Sequence, residues 1–442
     1  MALHAQAFFA THGPAVAGFI ALWGASAHAG ETALAAFTAS GGGRPMAGLV
    51  ADAQGNLYGT TATGGAGGYG TVFELQKPAA GKTAWTEIVL YSFHGSDGAS
   101  PVAGLLLSKA GNLYGTTEIG GNVGSCGNAT LGGVPYGCGV VFELTPPAQG
   151  QAAWSEHVLY AFSGPDGAFP LAGVIMDAEG NLYGTTNQGG APTYGGEVFE
   201  LTPPAAGQPA WTETILWGFT YKLDGALPWS GVILDAKGNL YGTTLYGGSY
   251  YLGVVYELTP PAMAGGAWTQ TTLNNFVCTD GAYPASGLVF DAHGNLYGTT
   301  MGSVFSSSAD YCGSDVDGTV FELSPSSAAV GGWTEHVLHA FSVSDGAMPQ
   351  AGVVLDAAGA VYGTTSTGGT APNDLQGGGT VFRLAPPAKG KTAWGLSTLY
   401  MFKGGRFGAN PVSPLLLSGT ELYGTAPYAG AAEFGVAFEV TK

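Results

Sequence analysis

The chain has 442 residues, 77 of them glycine, with 45% hydrophobic, 12% aromatic and only 10% charged residues. That much apolar content excludes an intrinsically disordered chain, and glycine without a strict triplet period excludes collagen. A net charge of −18 repels nucleic acid and anionic lipid, so neither is expected as a partner.

In chain order, the first segment stands apart. The stretch from Pro14 to Ala29, PAVAGFIALWGASAHA, is apolar and ends in Ala27-His28-Ala29, an A-x-A cleavage pattern. Residues 1–29 read as a signal peptide, although the leader has His4 and His12 and no Lys or Arg. The apolar run is short for a membrane span. No other segment is apolar enough to cross a membrane, so membrane insertion is not expected. The expected location is secreted or periplasmic. The four cysteines are even in number, which suits an oxidising compartment.

The remainder is repetitive. GNLYGTT occurs at 55–61 and returns at 111–117, 180–186, 238–244 and 294–300, with looser copies GAVYGTT at 359–365 and GTELYGTA at 419–426. Each unit holds four short apolar runs bounded by Gly, Pro and Asp, which read as strands. In the second unit they are WTEIVLYSF (85–93), AGLLLS (103–108), NLYGTT (112–117) and VVFELT (140–145). The spacing between the Trp and Phe of the first run is constant, from Trp85/Phe93 to Trp394/Phe402. Only the connection between GTT and the VFEL run varies strongly, and it is long in units 2, 5 and 6. Seven four-stranded units predict an all-β, seven-bladed β-propeller over residues 30–442.

Strand order follows from size. The AG or SG run has the smallest residues, as the crowded axis requires, so it is innermost. NLYGTT is second, VFEL third and WTExxLYxF outermost. Residues 31–37, ETALAAF, align with EIVLYSF at 87–93 but have no VFEL run before them. The last unit ends at VAFEV (436–440) with no outer strand after it. The N-terminal strand is therefore expected to complete the seventh blade and close the ring. Within GNLYGTT, Gly and Asn shape a hairpin turn. Leu and Thr pack between blades, Tyr fills the inter-blade layer, and the strand Gly admits a close neighbour. The Thr hydroxyls are expected to bond the recurring Glu of the third strand, as at Glu74 and Glu143.

DGAxPxAG, LDAxGNLYGTTxxGG, GTVFEL and WTExxLYxF, linked in this order over residues 31–442, resemble the GloVer tandem-repeat family of secreted bacterial proteins. The resemblance supports propeller-like repeats and implies no settled activity. Members often carry a C-terminal surface anchor; with Lys442 directly after the last strand, none is expected here.

The loops entering the inner strands and those between strands two and three share one face, here called the top. The constant turns DAxGN and TPPAxGxxAW fall on the other face. Variable loops on a rigid frame are where binding usually resides. Top-face disulfides are expected between Cys126 and Cys138 and between Cys278 and Cys312; without CxxC spacing, a metal site is the weaker reading. Asp97, Asp166, Asp224, Asp280 and Asp345 precede Gly-Ala in five entering loops and read as turn caps. A carboxylate ring binding Ca²⁺ is the alternative, and DYCGSDVDG (310–318) is acidic without the EF-hand pattern. No cofactor is otherwise expected.

Units 1 and 7 lack that Asp and carry Arg44, Lys403 and Arg406 instead, in a chain with only three arginines. Ring closure makes these units neighbours. His94, Tyr69 and Tyr428 lie on adjoining loops. Arg suits a carboxylate, His a proton transfer and Tyr a sugar face. Tyr246, Tyr250, Tyr251, Trp229 and Tyr311 add aromatic character to the top. GKT at 81–83 and 390–392 lacks the upstream Gly of a P-loop, and neither HExxH nor GxSxG occurs. The expected function is binding of a glycan or small polar ligand by a monomer, with Arg44, Lys403, Arg406, Tyr69 and Tyr428 as ligand-binding residues. A glycan-cleaving enzyme, a lyase or hydrolase with His94 as its catalytic base, is the first alternative. A structural surface protein is the second.

Overall fold

The computed structural model describes residues 31–442 except 122–125, 127–129, 132–133, 136, 150, 152, 191–192, 206–209, 264, 303–316, 328–331 and 370–376. The signal peptide expected at 1–29 lies outside the described residues.

Seven four-stranded antiparallel sheets form a seven-bladed β-propeller. Blade 1 comprises Val50–Ala51, Leu57–Thr61, Thr71–Gln76 and Thr86–Ser92, in that order from the axis outwards. Blades 2 to 6 repeat this order. Blade 7 takes Leu416–Ser418, Glu421–Ala426 and Val436–Thr441 from the C-terminus and its outer strand, Glu31–Ala36, from the N-terminus. Glu31 pairs with Val440 and Ala36 with Val436, as the orphan strand at 31–37 predicts. Among the described residues there is no α-helix.

The innermost strands are as crowded as their small residues imply. A Cβ on Gly48, Gly231 or Gly352 would lie 3.0–3.1 Å from the carbonyl oxygen of Pro414, Gly173 or Gly287 in the neighbouring blade. Their ladder is only two residues long in blades 1 to 6, as at Leu106–Leu107, and three in blade 7, at Leu416–Ser418, shorter than the AGLLLS run. The carbonyls ahead of that ladder are used between blades instead. Thr60 donates its hydroxyl to the Ala103 carbonyl at 3.0 Å, Thr116 to Ala172 at 2.9 Å and Thr185 to Ser230 at 2.9 Å. Thr243, Thr299, Thr364 and Thr425 repeat the bond to Ser286, Ala351, Ser413 and Ala47. The expected Thr–Glu bond is therefore corrected. The third-strand Glu meets the Tyr of the repeat: the Tyr114 hydroxyl donates to Glu143 Oε1 at 2.6 Å.

The rest of GNLYGTT is explained by packing. A Cβ on the strand Gly at 59, 115, 184, 242, 298, 363 or 424 would come within 3.0 Å of the aromatic ring of the third strand. Each of those rings packs on the terminal Phe of the preceding blade's outer strand. The seven pairs, Phe37/Phe73 through Phe402/Phe438, have centroids 4.9–5.2 Å apart. The core is thus a ring of inter-blade seams, and Phe37 closes it.

Candidate functional site

The top face is built on a ring of seven strained residues. Arg44, Ser100, Phe169, Leu227, Tyr283, Met348 and Asn410 have φ between 52° and 58°, and each stands directly before a proline. Non-glycine residues at such angles cost on the order of 1–3 kcal/mol each unless their surroundings fix them. Here backbone bonds fix them. The Ser100 amide donates to the Tyr69 carbonyl of blade 1 at 2.9 Å, and the Ser100 carbonyl accepts the Glu118 amide of its own blade at 3.0 Å. Arg44 repeats this with the Phe434 carbonyl, at 2.8 Å, and the Ala62 amide, at 3.1 Å. Each strained residue bridges two blades at the upper end of the inner strands.

The ring is chemically lopsided. Phe169, Leu227, Tyr283 and Met348 form an apolar arc on blades 3 to 6. Leu227 and Tyr283 pack against Leu245 and Met301, and Tyr246 meets Tyr283 edge-on at 5.5 Å. Asn410, Arg44 and Ser100 form a polar arc on blades 7, 1 and 2.

Within the polar arc, the Arg44 guanidinium donates to the Tyr428 hydroxyl at 3.1 Å and lies 5.5 Å from that ring's centroid. Glu118 receives the Ser100 hydroxyl at 3.0 Å. Burial pushes the Glu118 carboxyl up, opposed by the Ser100 bond and the Arg44 charge. Tyr69 is half-buried and its carbonyl holds Ser100. Lys403 and Arg406 are exposed on the entering loop of blade 7. Arg406 lies 4.6 Å from the Phe407 ring centroid and acts electrostatically on Glu31. His94 is exposed, with Nδ1 3.3 Å from Asp97 Oδ2. The geometry therefore brings Arg44 together with Tyr428 and ties His94 to Asp97.

The five Asp-Gly-Ala aspartates act as turn caps. Asp97, Asp166, Asp280 and Asp345 each accept the backbone amide three residues earlier, at 2.7–2.8 Å, and Asp224 accepts that of Thr220 at 3.0 Å. Among the described residues no group of three or more His, Cys, Asp or Glu is arranged to hold a metal ion. Cys126 and Cys138 form a disulfide with a Cα separation of 5.2 Å. Cys278 is also disulfide-bonded; Cys312, its expected partner, lies outside the described residues, as do Tyr311 and most of the DYCGSDVDG run. A disulfide fits an extracytoplasmic setting. No helix among the described residues is long and apolar enough to cross a membrane.

Among the described residues, the most exposed aromatic sector lies on blades 3 and 4. Tyr194, Tyr221, Leu223, Trp229, Tyr250 and Tyr251 are 42–66% exposed. Tyr194, Tyr221 and Tyr251 also have φ of 57–60°. Tyr221 lies over Gly195, where a Cβ would approach its ring to 3.2 Å, so the loops of the two blades touch. The loop carrying Leu223 hangs on the outer strand of blade 4, with Thr272 donating to the Leu223 carbonyl at 3.2 Å and Gln270 to that of Asp224 at 3.4 Å. Sequence reasoning named Trp229, Tyr250 and Tyr251 but missed Tyr194 and Tyr221. For Tyr194 the available signal was a tyrosine beside Gly195 in a turn; Tyr221, between Thr220 and Lys222, carries no such signal.

A model of the Gloeobacter/Verrucomicrobia repeat matches residues 13–129, 124–308 and 302–442. The chain belongs to that family. No curated protein matches it. Solved structures similar to this chain include a proposed 6-phosphogluconolactonase from Bacteroides uniformis, 15% identical over 84% of this chain and 88% of that one, TM-score 0.48. PorZ, a surface component of the type-IX secretion system of Porphyromonas gingivalis, is 14% identical over 90% of this chain and 46% of its own, TM-score 0.47. A family AA12 carbohydrate-active enzyme from Trichoderma reesei is 12% identical over 93% and 95%, TM-score 0.42. At these scores the likenesses say nothing about activity.

Proposed function

We propose that this repeat-family propeller is an extracytoplasmic binding protein whose top face holds a glycan. The observation that carries the reading is the set of three exposed tyrosines at left-handed backbone angles. A chain with 77 glycines places glycine at most such angles. Tyrosine there costs backbone strain and, when exposed, recovers little packing. A rigid aromatic platform that stacks on the apolar faces of sugars gives that strain a use. The Arg44–Tyr428 pair, across the ring from the platform, supplies donors for a polar or carboxylate substituent. Lys403 and Arg406 add positive charge to that side.

The test is a glycan array probed with the secreted protein, followed by titration of the strongest ligand. Binding should be lost or weakened at least tenfold in a Tyr221→Gly/Tyr251→Gly variant that retains its melting temperature. Unchanged affinity in that variant would overturn the reading. The Arg44–Tyr428 contact favours one second reading: cleavage of a uronate polymer, with Arg44 neutralising the carboxylate and Tyr428 or His94 moving the proton. Ultraviolet absorbance from an unsaturated product, appearing with the wild type and absent with Arg44→Ala, distinguishes it from binding alone.

A further inference from the structure

The opposite, constant-loop face holds a second feature with binding chemistry. Where blades 4 and 5 meet there is a cleft of about 640 Å³. Its aromatic wall is Tyr241, Phe290 and Trp333, with Tyr241 edge-on to Phe290 at 5.2 Å and to Trp333 at 6.3 Å. Its charged wall is Asp235, Glu257 and Asp291 against one cation, Lys237. The Tyr241 hydroxyl lies 3.2 Å from Asp235 Oδ2 and 3.0 Å from Glu257 Oε1. One phenolic proton cannot satisfy both carboxylates at once. The cleft therefore combines surplus negative charge with aromatic faces.

The same fold position between blades 6 and 7 shows what satisfies this arrangement. There Tyr362 replaces Tyr241, and Asp356 replaces Asp235. The Glu257 position holds Arg383, and the position of Pro325, which lines the first cleft, holds Lys442. Both cations lie over the Tyr362 ring, Arg383 at 6.0 Å and Lys442 at 5.8 Å from its centroid. Lys442 Nζ also pairs with Asp356 Oδ2 at 3.5 Å, and Arg383 donates to the Tyr362 hydroxyl at 3.1 Å. The chain thus fills one seam with its own ammonium and guanidinium groups. At the other seam it leaves the acidic, aromatic walls around open space.

Phe290 makes the blade 4/5 seam distinct. The corresponding residues in other blades are Ala51, Leu107, Met176, Leu234, Leu355 and Leu417, so this seam alone has an aromatic at that position. Three rings with three carboxylates recognise a cation better than a neutral ligand, because the ring quadrupoles and the carboxylates attract the same sign of charge.

We propose that the cleft between blades 4 and 5 binds a small organic ammonium ion, seated against Phe290 and Trp333 beside the Tyr241 hydroxyl and paired with Glu257 and Asp235. The site is independent of the top face and of the glycan reading. The probe is n-butylammonium chloride, titrated into the full chain at low ionic strength by calorimetry, with 1-butanol and sodium chloride as controls. Saturable binding is expected for butylammonium alone. Glu257→Gln should weaken it about tenfold, the scale of a charge-assisted contact. Phe290→Leu should weaken it several-fold by removing one ring, and leucine already stands there in blades 2, 4, 6 and 7, so that variant retains the local packing. Equal binding of 1-butanol, or wild-type affinity in Phe290→Leu, would overturn the proposal.

Discussion

The hydroxyl of Thr425 donates to the carbonyl of Ala47 at 2.9 Å, across 378 residues of sequence. It is the seventh copy of a bond that links every blade to the next, and it closes the ring. Both atoms are buried, so replacing the hydroxyl leaves an orphaned carbonyl, which costs about 1–3 kcal/mol. Thr425→Val should therefore lower stability by about that amount, and Thr60→Val should do the same, since the ring has no privileged joint. Deleting 31–37 should do far more. It removes an outer strand together with Phe37 and exposes the edge of the third strand of blade 7. Thermal melts of the three variants check this; a deletion variant that melts like the wild type would refute closure by the N-terminal strand.

Most of this frame is legible in the sequence because the repeat supplies its own register. Trp85 to Phe93 and its copies fix strand lengths, and the unpartnered strand at 31–37 identifies the closure. The partners of Thr60 and its equivalents are not legible. Their acceptors are carbonyls of the next repeat, and a carbonyl has no letter of its own. The polar side chains that do have letters, Glu74 and Glu143, were the natural but wrong choice. The site was only partly readable for a similar reason. Arg44 and Tyr428 stand out by composition and do meet. Tyr194 and Tyr221 stand out only through a left-handed backbone angle, which the sequence does not announce.

The Cys126–Cys138 disulfide links residues 12 apart in the sequence. Cross-links closing loops of that size stabilise by about 2–4 kcal/mol through the unfolded chain. Cys126→Ala/Cys138→Ala should lose that much in denaturant melts. Cys138 is fully buried in the core cluster between blades 2 and 3, with Cys126 packed against it, so lost packing there adds to the loss, which should appear as a lower midpoint with an unchanged slope. A changed slope would mean that the bridge also alters the compactness of the unfolded or native state.

Stability should depend on pH in an unusual direction. Glu197 is fully buried, and neither carboxyl oxygen has a hydrogen-bond partner among the described residues. Burial, with Glu213 and Asp166 adding negative charge, pushes it up to about 9. Burial likewise raises Glu156 and Glu213 to about 7 and Glu335 to about 8, with Asp97, Asp166 and Asp280 adding to it in turn. A carboxyl held neutral in the fold ionises at its ordinary value once unfolded. Its contribution is thus complete below about pH 4.5 and is lost progressively as pH rises through the folded value. The capping aspartates Asp52, Asp235, Asp291, Asp345 and Asp356 are held low despite their burial, by backbone and side-chain bonds. They contribute stability above about pH 4 and lose it in stronger acid. The melting temperature should therefore peak near pH 4–5 and fall steadily to pH 9. Glu197→Val, the residue type found at this position in blades 2, 4 and 7, should flatten the alkaline side. A profile rising from pH 5 to 8 would contradict the assignment.

The platform tyrosines give the most discriminating prediction, because binding should fall while stability stays nearly constant. Tyr194, Tyr221 and Tyr251 sit at φ of 57–60° and are 42–61% exposed. Glycine adopts that angle without steric cost, although it gives up more chain entropy on folding. For an exposed side chain these terms nearly cancel, so each Tyr→Gly change should alter stability by less than about 1 kcal/mol. Tyr251→Gly should be the mildest, since Tyr251 is the most exposed of the three. Tyr221→Gly should cost slightly more, since the ring also covers Gly195. If the rings form a sugar-stacking platform, each loss should weaken glycan binding by about 1–2 kcal/mol, the scale of a stacked aromatic contact. Tyr→Phe should preserve most of it. If the tyrosines serve only the fold, stability and binding will fall together or neither will change. Melting temperature and affinity measured on the same six variants separate these cases, and a platform requires affinity to fall while the melt stays in place.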